Sequence, residues 1–515
     1  MSMLHQRSFS LRALLQLAGA GILLGFLFRS ESTNPALFLV GRVCALGTIV
    51  SLFFLPRRWI ILPLMLLMVT MPDLTQGLED SQDRGTVFAA TAWQMTISSL
   101  PPAIIILGAL LATFVRLRDL KVARGYQLPV LYFCIVPVLT SLYFGYALTG
   151  LGRFATDAKL GAFFCAGLLF FSSYYRRYPN ELWRGSQLFL ALSCGVATLD
   201  AARLLLGGAT PASHLSYINL SLDSTKGLIV GVVFWLFARI IGRRNLLLGP
   251  LAGVMALSVM FAYQTRWLVV ALILGILLVS LLLGWKRLAL MMSAGTIISL
   301  ATLPVLQRFF PQVWEVTAIR FRFVGEIGRG TDLLEVEGVR TGAIYNSLRL
   351  VWDRSALATG MGYGSWYTDA YLPMPNLTEA AFDEESLRSG RYYRVHDFAF
   401  HFVFKYGLIG LLLYTYVFVR PLVAIWRLRS RVLRWRPSRE VAVVVFGLMP
   451  MVLTQLWFSG KGLLFAAWFV VVADRWAACF RRMREASARG IGRAEAREVI
   501  GKSVTLPHLG AGVST

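Results

Sequence analysis

"RVHDFAFHFVFKYGLIGLL", Arg394 to Leu412, joins a charged stretch to a long apolar one, with His396 and Asp397 at the junction and Gly407 and Gly410 further in. The apolar part reads as a helix that enters a bilayer. Outward from it, the whole chain has the same character: 57% of its 515 residues are hydrophobic and the mean hydropathy is +0.63, far from an ordinary soluble domain. Apolar runs recur from Leu11 to Ala473. At ~1.5 Å of rise per residue, about fourteen of them are long enough for the hydrocarbon core. The predicted fold is an all-α polytopic membrane protein of about 14 transmembrane helices, with one large periplasmic loop before the third-last span.

A net charge of +24 invites a nucleic-acid reading, which its placement excludes. Basic residues fall in every second connection: Arg57 and Arg58, Arg116 to Arg124, Arg176 to Arg184, Arg239 to Arg244, Lys286 and Arg287, Arg427 to Arg439, and Arg475 onwards. This is the positive-inside pattern, and with an even number of spans it places both termini in the cytoplasm. Leu11 to Phe28 reads as a retained anchor, because no small-residue cleavage site follows it. The expected division is 1–306 as the main bundle of about eleven spans, 307–395 as the periplasmic segment, 396–476 as three more spans and 477–515 as a basic cytoplasmic tail. Pro101 and Pro102 predict a kink or break in the run that contains them.

The 307–395 segment holds ten arginines, no lysine and eleven acidic residues, with Trp314, Trp352, Trp366 and several tyrosines. Near-neutral and aromatic, it is expected to fold rather than to act as a solvated linker. Its "GMGYGSW" piece, Gly360 to Trp366, lacks the strand and the lysine-serine of a phosphate loop and reads as a turn. The alternating Arg320 and Arg322 read as a solvated face. None of the five cysteines lies in this segment, so neither a disulfide framework nor a zinc site is indicated.

On a helical wheel with His396 at zero, Gly407 falls at about 20° and Gly410 at about −40°, while Lys405 falls about 180° away. One stripe therefore carries the histidine and both glycines, which would let a neighbouring backbone approach. Asp397 is placed to cap free amides at the helix start. His401, at about 140°, reads as packing.

The spacing of His396 and Asp397 from Gly407 and Gly410 resembles the signature of the bacterial O-antigen ligase and O-antigen polymerase superfamily. Two more stretches are similar to that family: "YQTRWLVVALILG", Tyr263 to Gly275, and "RTGAIYNSLRLVWDRSALATGMGYGSW", Arg340 to Trp366. The family usually has Asn, Ser or Gln where this chain has Asp397. The resemblance covers roughly Tyr263 to Leu413 and implies a metal-independent glycosyltransferase whose large periplasmic loop precedes the histidine helix.

On that reading the donor is an oligosaccharide on a polyprenyl diphosphate, since no sugar nucleotide is present outside the inner membrane. His396 would be the base on the acceptor hydroxyl, oriented by Asp397. Arg266, with Arg340 or Arg349, would bind the diphosphate through their planar forks. No cofactor and no metal is expected, because no acidic pair stands in a metal-binding pattern; a single displacement with inversion follows. Flippase and chain-length regulator proteins are expected partners, beside membrane lipids and the glycan acceptor. Polymerisation of repeat units is favoured over ligation to a lipid A core or protein. A flippase-type transporter is the remaining alternative, disfavoured because no internal repeat is evident.

Overall fold

The computed structural model of the chain describes residues 11–28, 35–70, 121–179, 181–206, 266–284, 333–374, 384–395, 397–434, 436–455 and 460–488, with isolated positions elsewhere. They form helices α1 (Leu11–Phe28), α2 (Pro35–Phe54), α3 (Ile61–Thr70), α4 (Gln127–Tyr143), α5 (Leu151–Arg177), α6 (Glu181–Leu206), α7 (Arg266–Leu283), α8 (Leu333–Asp353), α9 (Glu384–Ser389), α10 (Phe398–Trp426), α11 (Arg436–Gln455) and α12 (Gly460–Ala488). Among the described residues there is no strand; Tyr367 and Tyr392 form one isolated antiparallel bridge.

Among the described residues, four stretches are long and apolar enough to cross a membrane: Arg124–Tyr143, Leu151–Arg177, Phe398–Trp426 and Gly462–Arg482. Their outer faces agree with that reading. On α4, Leu128, Leu131, Ile135, Leu139 and Leu142 are exposed at helical spacing, and on α10 so are Leu408, Leu412, Tyr416, Val419 and Val423. Continuous apolar stripes of this kind are costly in water and natural against acyl chains. The protein is therefore helical and membrane-embedded.

The centre of the core is aromatic. Phe133 of α4, Phe164 of α5 and Phe402, Tyr406, Tyr414 and Phe418 of α10 are almost wholly buried and meet ring to ring. Around this centre α5 packs on α12, α10 on α4 and α12, α7 on α11, and α6 on α1 and α3. Small residues permit the closest of these approaches, as at Gly195 against the Ala18 carbonyl, a contact that stands in for the absent hydrophobic drive between helices in lipid.

The chain ends of these helices sort by charge. Lys121 donates its backbone N–H to Ser173, the Arg420 guanidinium lies over the Tyr126 ring, and Arg475 donates to the Ser172 carbonyl, so the basic stretches near 121–126, 172–178 and 475–482 share one end of the bundle. The helix α12 runs on to Ala488, so the expected boundary between 476 and 477 falls within a helix rather than at the start of a tail. Pro101, Pro102, Arg320 and Arg322 lie outside the described residues.

At the opposite end the helix α8 packs on α10, and a second, smaller core forms from Ala343, Val351, Ala356, Met361, Tyr367, Met374, Tyr392 and Val395. Tyr146 and Phe404 belong to this cluster too, so the described part of the 307–395 segment is docked onto the helical body. Buried Asn346 fastens it internally: its side-chain amide donates to the carbonyls of Gly342 and Leu372, and its oxygen accepts from the N–H groups of Tyr371 and Leu372.

Candidate functional site

The helix α10 begins where Asp397 turns from extended backbone, φ −107° and ψ 135°, and its carboxylate accepts from the N–H groups of Ala399 at 2.9 Å and Phe400 at 3.3 Å. A carboxylate there satisfies amides that lack helical partners and faces the positive end of the dipole. Ten residues further the helix breaks: Gly407 has φ +68° and ψ 179°. A left-handed φ is open to glycine at little cost, and a Cβ there would also overlap the Ala358 carbonyl.

The break corrects the wheel drawn from the sequence. Positions before and after Gly407 are not in helical phase, so the stripe shared by 396, 407 and 410 is not a feature of α10. Lys405, which the wheel turned away, is fully buried at the break. Position 396 itself lies outside the described residues, as does the side chain of Arg266, whose backbone opens α7.

Breaking a helix in lipid exposes peptide groups that must find partners. The "GMGYGSW" turn supplies them. Met361 and Gly362 donate their N–H groups to the carbonyls of Phe404 and Lys405 at 2.8 and 2.9 Å, and beyond the break Leu408 and Ile409 donate to the carbonyls of Leu357 and Ala358 at 2.9 and 3.2 Å. Tyr132 donates its hydroxyl to the Tyr406 carbonyl at 2.6 Å, its ring seated against Gly410. The turn itself carries φ values of +74°, +87° and +74° at Gly360, Gly362 and Gly364, where side chains would strike the backbones of Lys405, Pro137 and Phe154. Gly407 thus serves a loop, while Gly410 makes room for the Tyr132 ring of the neighbouring α4.

A missing helical hydrogen bond is answered the same way. Pro137 inside α4 has no N–H to give the carbonyl of Phe133, four residues back. The Tyr363 hydroxyl donates to that carbonyl at 2.8 Å, and Ser141 donates in turn to the Tyr363 carbonyl at 2.6 Å. Burial raises the Tyr363 phenol well above its ordinary value, which keeps it a donor.

Beneath the turn sits an ion pair. The Lys405 ammonium donates to Asp157 Oδ2 of α5 and to the Ser365 carbonyl, both at 2.7 Å, and the Gly364 N–H donates to the same Oδ2 at 2.8 Å. Three segments, α5, the turn and α10, are tied through one carboxylate oxygen.

Above the turn the surface is cationic and aromatic. The Arg391 guanidinium lies 4.6 Å from the Trp366 ring centroid, and that of Arg153 4.6 Å from Tyr393. Tyr146 meets Trp366 edge-on at 6.0 Å. Burial raises the phenols of Tyr146, Tyr367 and Tyr392, with Arg354 opposing the shift at Tyr146. The backbone on both sides of 396 is held: Tyr367 donates its hydroxyl to the Arg394 carbonyl at 2.8 Å, the Val395 N–H donates to His401 Nδ1 at 3.3 Å, and the His401 N–H to the Asp397 carbonyl at 2.9 Å. His401 is buried, as packing requires, and its ring also fixes the strand of chain before it.

The loop arginines do not gather in one place. Arg340 and Arg349 are exposed on α8, nine residues apart, which is about 13 Å along the axis and half a turn in azimuth. Arg349 is paired with Asp353 at 3.2 Å, and that carboxylate also holds the Tyr371 hydroxyl, raising its pKa. A single diphosphate reaches one of these arginines, not both. Reading by sequence missed Arg153, Arg391, Arg394, Asp157 and Lys405. The signal available for the last was a lone lysine in an apolar run, which in a membrane helix needs a buried partner. Among the described residues no group of His, Cys, Asp and Glu is arranged to hold a metal. The chain matches no family model and no curated protein.

Proposed function

We propose that the chain is a member of the O-antigen ligase and polymerase superfamily: a multi-pass inner-membrane glycosyltransferase with about fourteen spans and cytoplasmic termini that extends a polyprenyl-diphosphate-linked glycan on the periplasmic side. One observation carries the reading. The glycine turn docks into the break of α10 and presents arginines and aromatic rings beside the pinned residues that flank 396. Aromatic faces suit sugar rings, and guanidinium groups suit phosphate oxygens that gain charge as the diphosphate departs.

In this proposal His396 takes the proton of the acceptor hydroxyl as the oxygen attacks the anomeric carbon of the donor, and the diphosphate leaves from the opposite face. Asp397 is committed to the amides of Ala399 and Phe400, so its role is to fix the start of the helix and thereby the position of 396 rather than to exchange protons. Arg266 and one loop arginine hold the diphosphate. Arg153, Arg391 and Arg394 join them as candidates.

The test is lipid-linked glycan profiling in a deletion strain complemented with His396→Ala. The expected result is single-repeat intermediates at normal protein levels. Full-length polymer left on the lipid carrier would indicate a ligase, and wild-type polymer would remove His396 from the chemistry. Arg266→Lys is expected to retain more activity than Arg266→Ala.

A further inference from the structure

At the basic end of the bundle a second polar cluster lies among α4, α5, α10 and α12, remote from the glycine turn, its charged side chains half-buried. The Arg420 guanidinium lies 5.0 Å from the Tyr126 ring centroid, against Gly125, where any side chain would overlap its Nη1. Its Nε faces Asp474 Oδ1 at 3.7 Å, too long for a good hydrogen bond. Arg475 donates from Nη2 to the Ser172 carbonyl at 2.9 Å. Three buried polar atoms here have no hydrogen-bond partner among the described residues: Arg420 Nη1, the Tyr126 hydroxyl and the Ser172 hydroxyl. Tyr126 and Ser172 are wholly shielded from solvent.

The charge is as unbalanced as the hydrogen bonding. Arg420, Arg475 and Arg481 all act on Asp474, so three guanidinium groups face one carboxylate. In a partly desolvated setting a surplus of positive charge favours an anion. Water would satisfy the hydroxyls but leave the charge. Each of the three atoms can donate, and a guest that only accepts, is anionic and offers several oxygens suits such donors. Phosphate has these properties, and basic pockets between membrane helices are places where lipid phosphates bind.

We propose that Arg420, Arg475, Tyr126 and Ser172 form a binding site for a phosphate group, supplied by the headgroup of an anionic phospholipid or by free phosphate. The stacking of Arg420 on Tyr126 orients its fork before the ligand arrives. The site is independent of the glycosyltransferase reading, since it uses none of that site's residues.

Thermal unfolding of the purified, delipidated full-length protein in detergent tests it, at constant ionic strength, with titrations of dioleoylphosphatidylglycerol, of dioleoylglycerol (the same chains without phosphate) and of sodium phosphate. Phosphatidylglycerol is expected to raise the midpoint and dioleoylglycerol not to. Arg420→Gln should raise the half-saturating lipid concentration by about tenfold or more, as loss of a charge-assisted hydrogen bond does. Arg434→Gln, an exposed arginine near the same end, should leave it unchanged. A rise with sodium phosphate alone would name the free ion as a source, and a rise only with phosphatidylglycerol would name the lipid. Should Arg420→Gln fail to fold, Tyr126→Phe and Ser172→Ala delete only the unpartnered hydroxyls and should each weaken binding several-fold. Equal shifts from phosphatidylglycerol and dioleoylglycerol, or a phosphatidylglycerol response unaltered in the variants that fold, would overturn the proposal.

Discussion

The Lys405–Asp157 pair makes an asymmetric prediction. Removing the carboxylate by Asp157→Ala leaves an ammonium with 0% side-chain exposure and the Ser365 carbonyl as its remaining acceptor. Leaving such a charge unpaired costs about 3–5 kcal/mol. Removing the charge by Lys405→Met instead leaves Asp157, whose side chain is 20% exposed and still accepts from Gly364. That loss is about 1–2 kcal/mol, the scale of a hydrogen bond rather than of a stranded ion. The double variant should therefore be more stable than Asp157→Ala alone, with a coupling of about 2–3 kcal/mol, because residues in direct contact are not additive. Thermal unfolding of the detergent-solubilised protein, followed by tryptophan fluorescence, ranks the four proteins. If Lys405→Met proved as damaging as Asp157→Ala, or if the two losses simply added, the ion pair would not be what fastens the turn to α5 and α10.

Gly407→Ala combines a left-handed φ with a clash into the Ala358 carbonyl, so folded protein should fall sharply in a detergent-extraction and size-exclusion assay, by more than the ~1–3 kcal/mol of backbone strain alone. Tyr363→Phe strands the Phe133 carbonyl that Pro137 cannot serve and should cost about 1–3 kcal/mol, seen as a lower unfolding midpoint; an unchanged midpoint would mean that the carbonyl has another donor. Asn346→Ala removes the three bonds that hold residues 371 and 372, and limited proteolysis should then cut near Tyr371 well before any helix is attacked. His401→Phe keeps the volume but not the acceptor for Val395; on the proposed function it should lower glycan extension with little loss of folded protein.

Much was legible from the sequence because hydrocarbon is an undemanding solvent to read. Apolar length and the cap at Asp397 are local properties, fixed by backbone polarity and helix geometry, and the described helices carry them. The "GMGYGSW" stretch also announced itself as a turn through its glycines. Where the turn goes was not legible. A helical wheel assumes one phase throughout, and Gly407 breaks that phase because the loop carbonyls and N–H groups of Leu357 to Gly362 replace the helix's own partners. Nothing near Lys405 in the chain indicates Asp157, some 250 residues earlier, and nothing near Arg420 indicates Tyr126. The sequence by itself determined a helical membrane protein, the cap that starts α10 and the turn at Gly360 to Trp366, but not the break at Gly407. Only the tertiary structure decided which distant groups meet those places, since a buried amide or charge is satisfied by whichever partner the packing brings within about 3 Å.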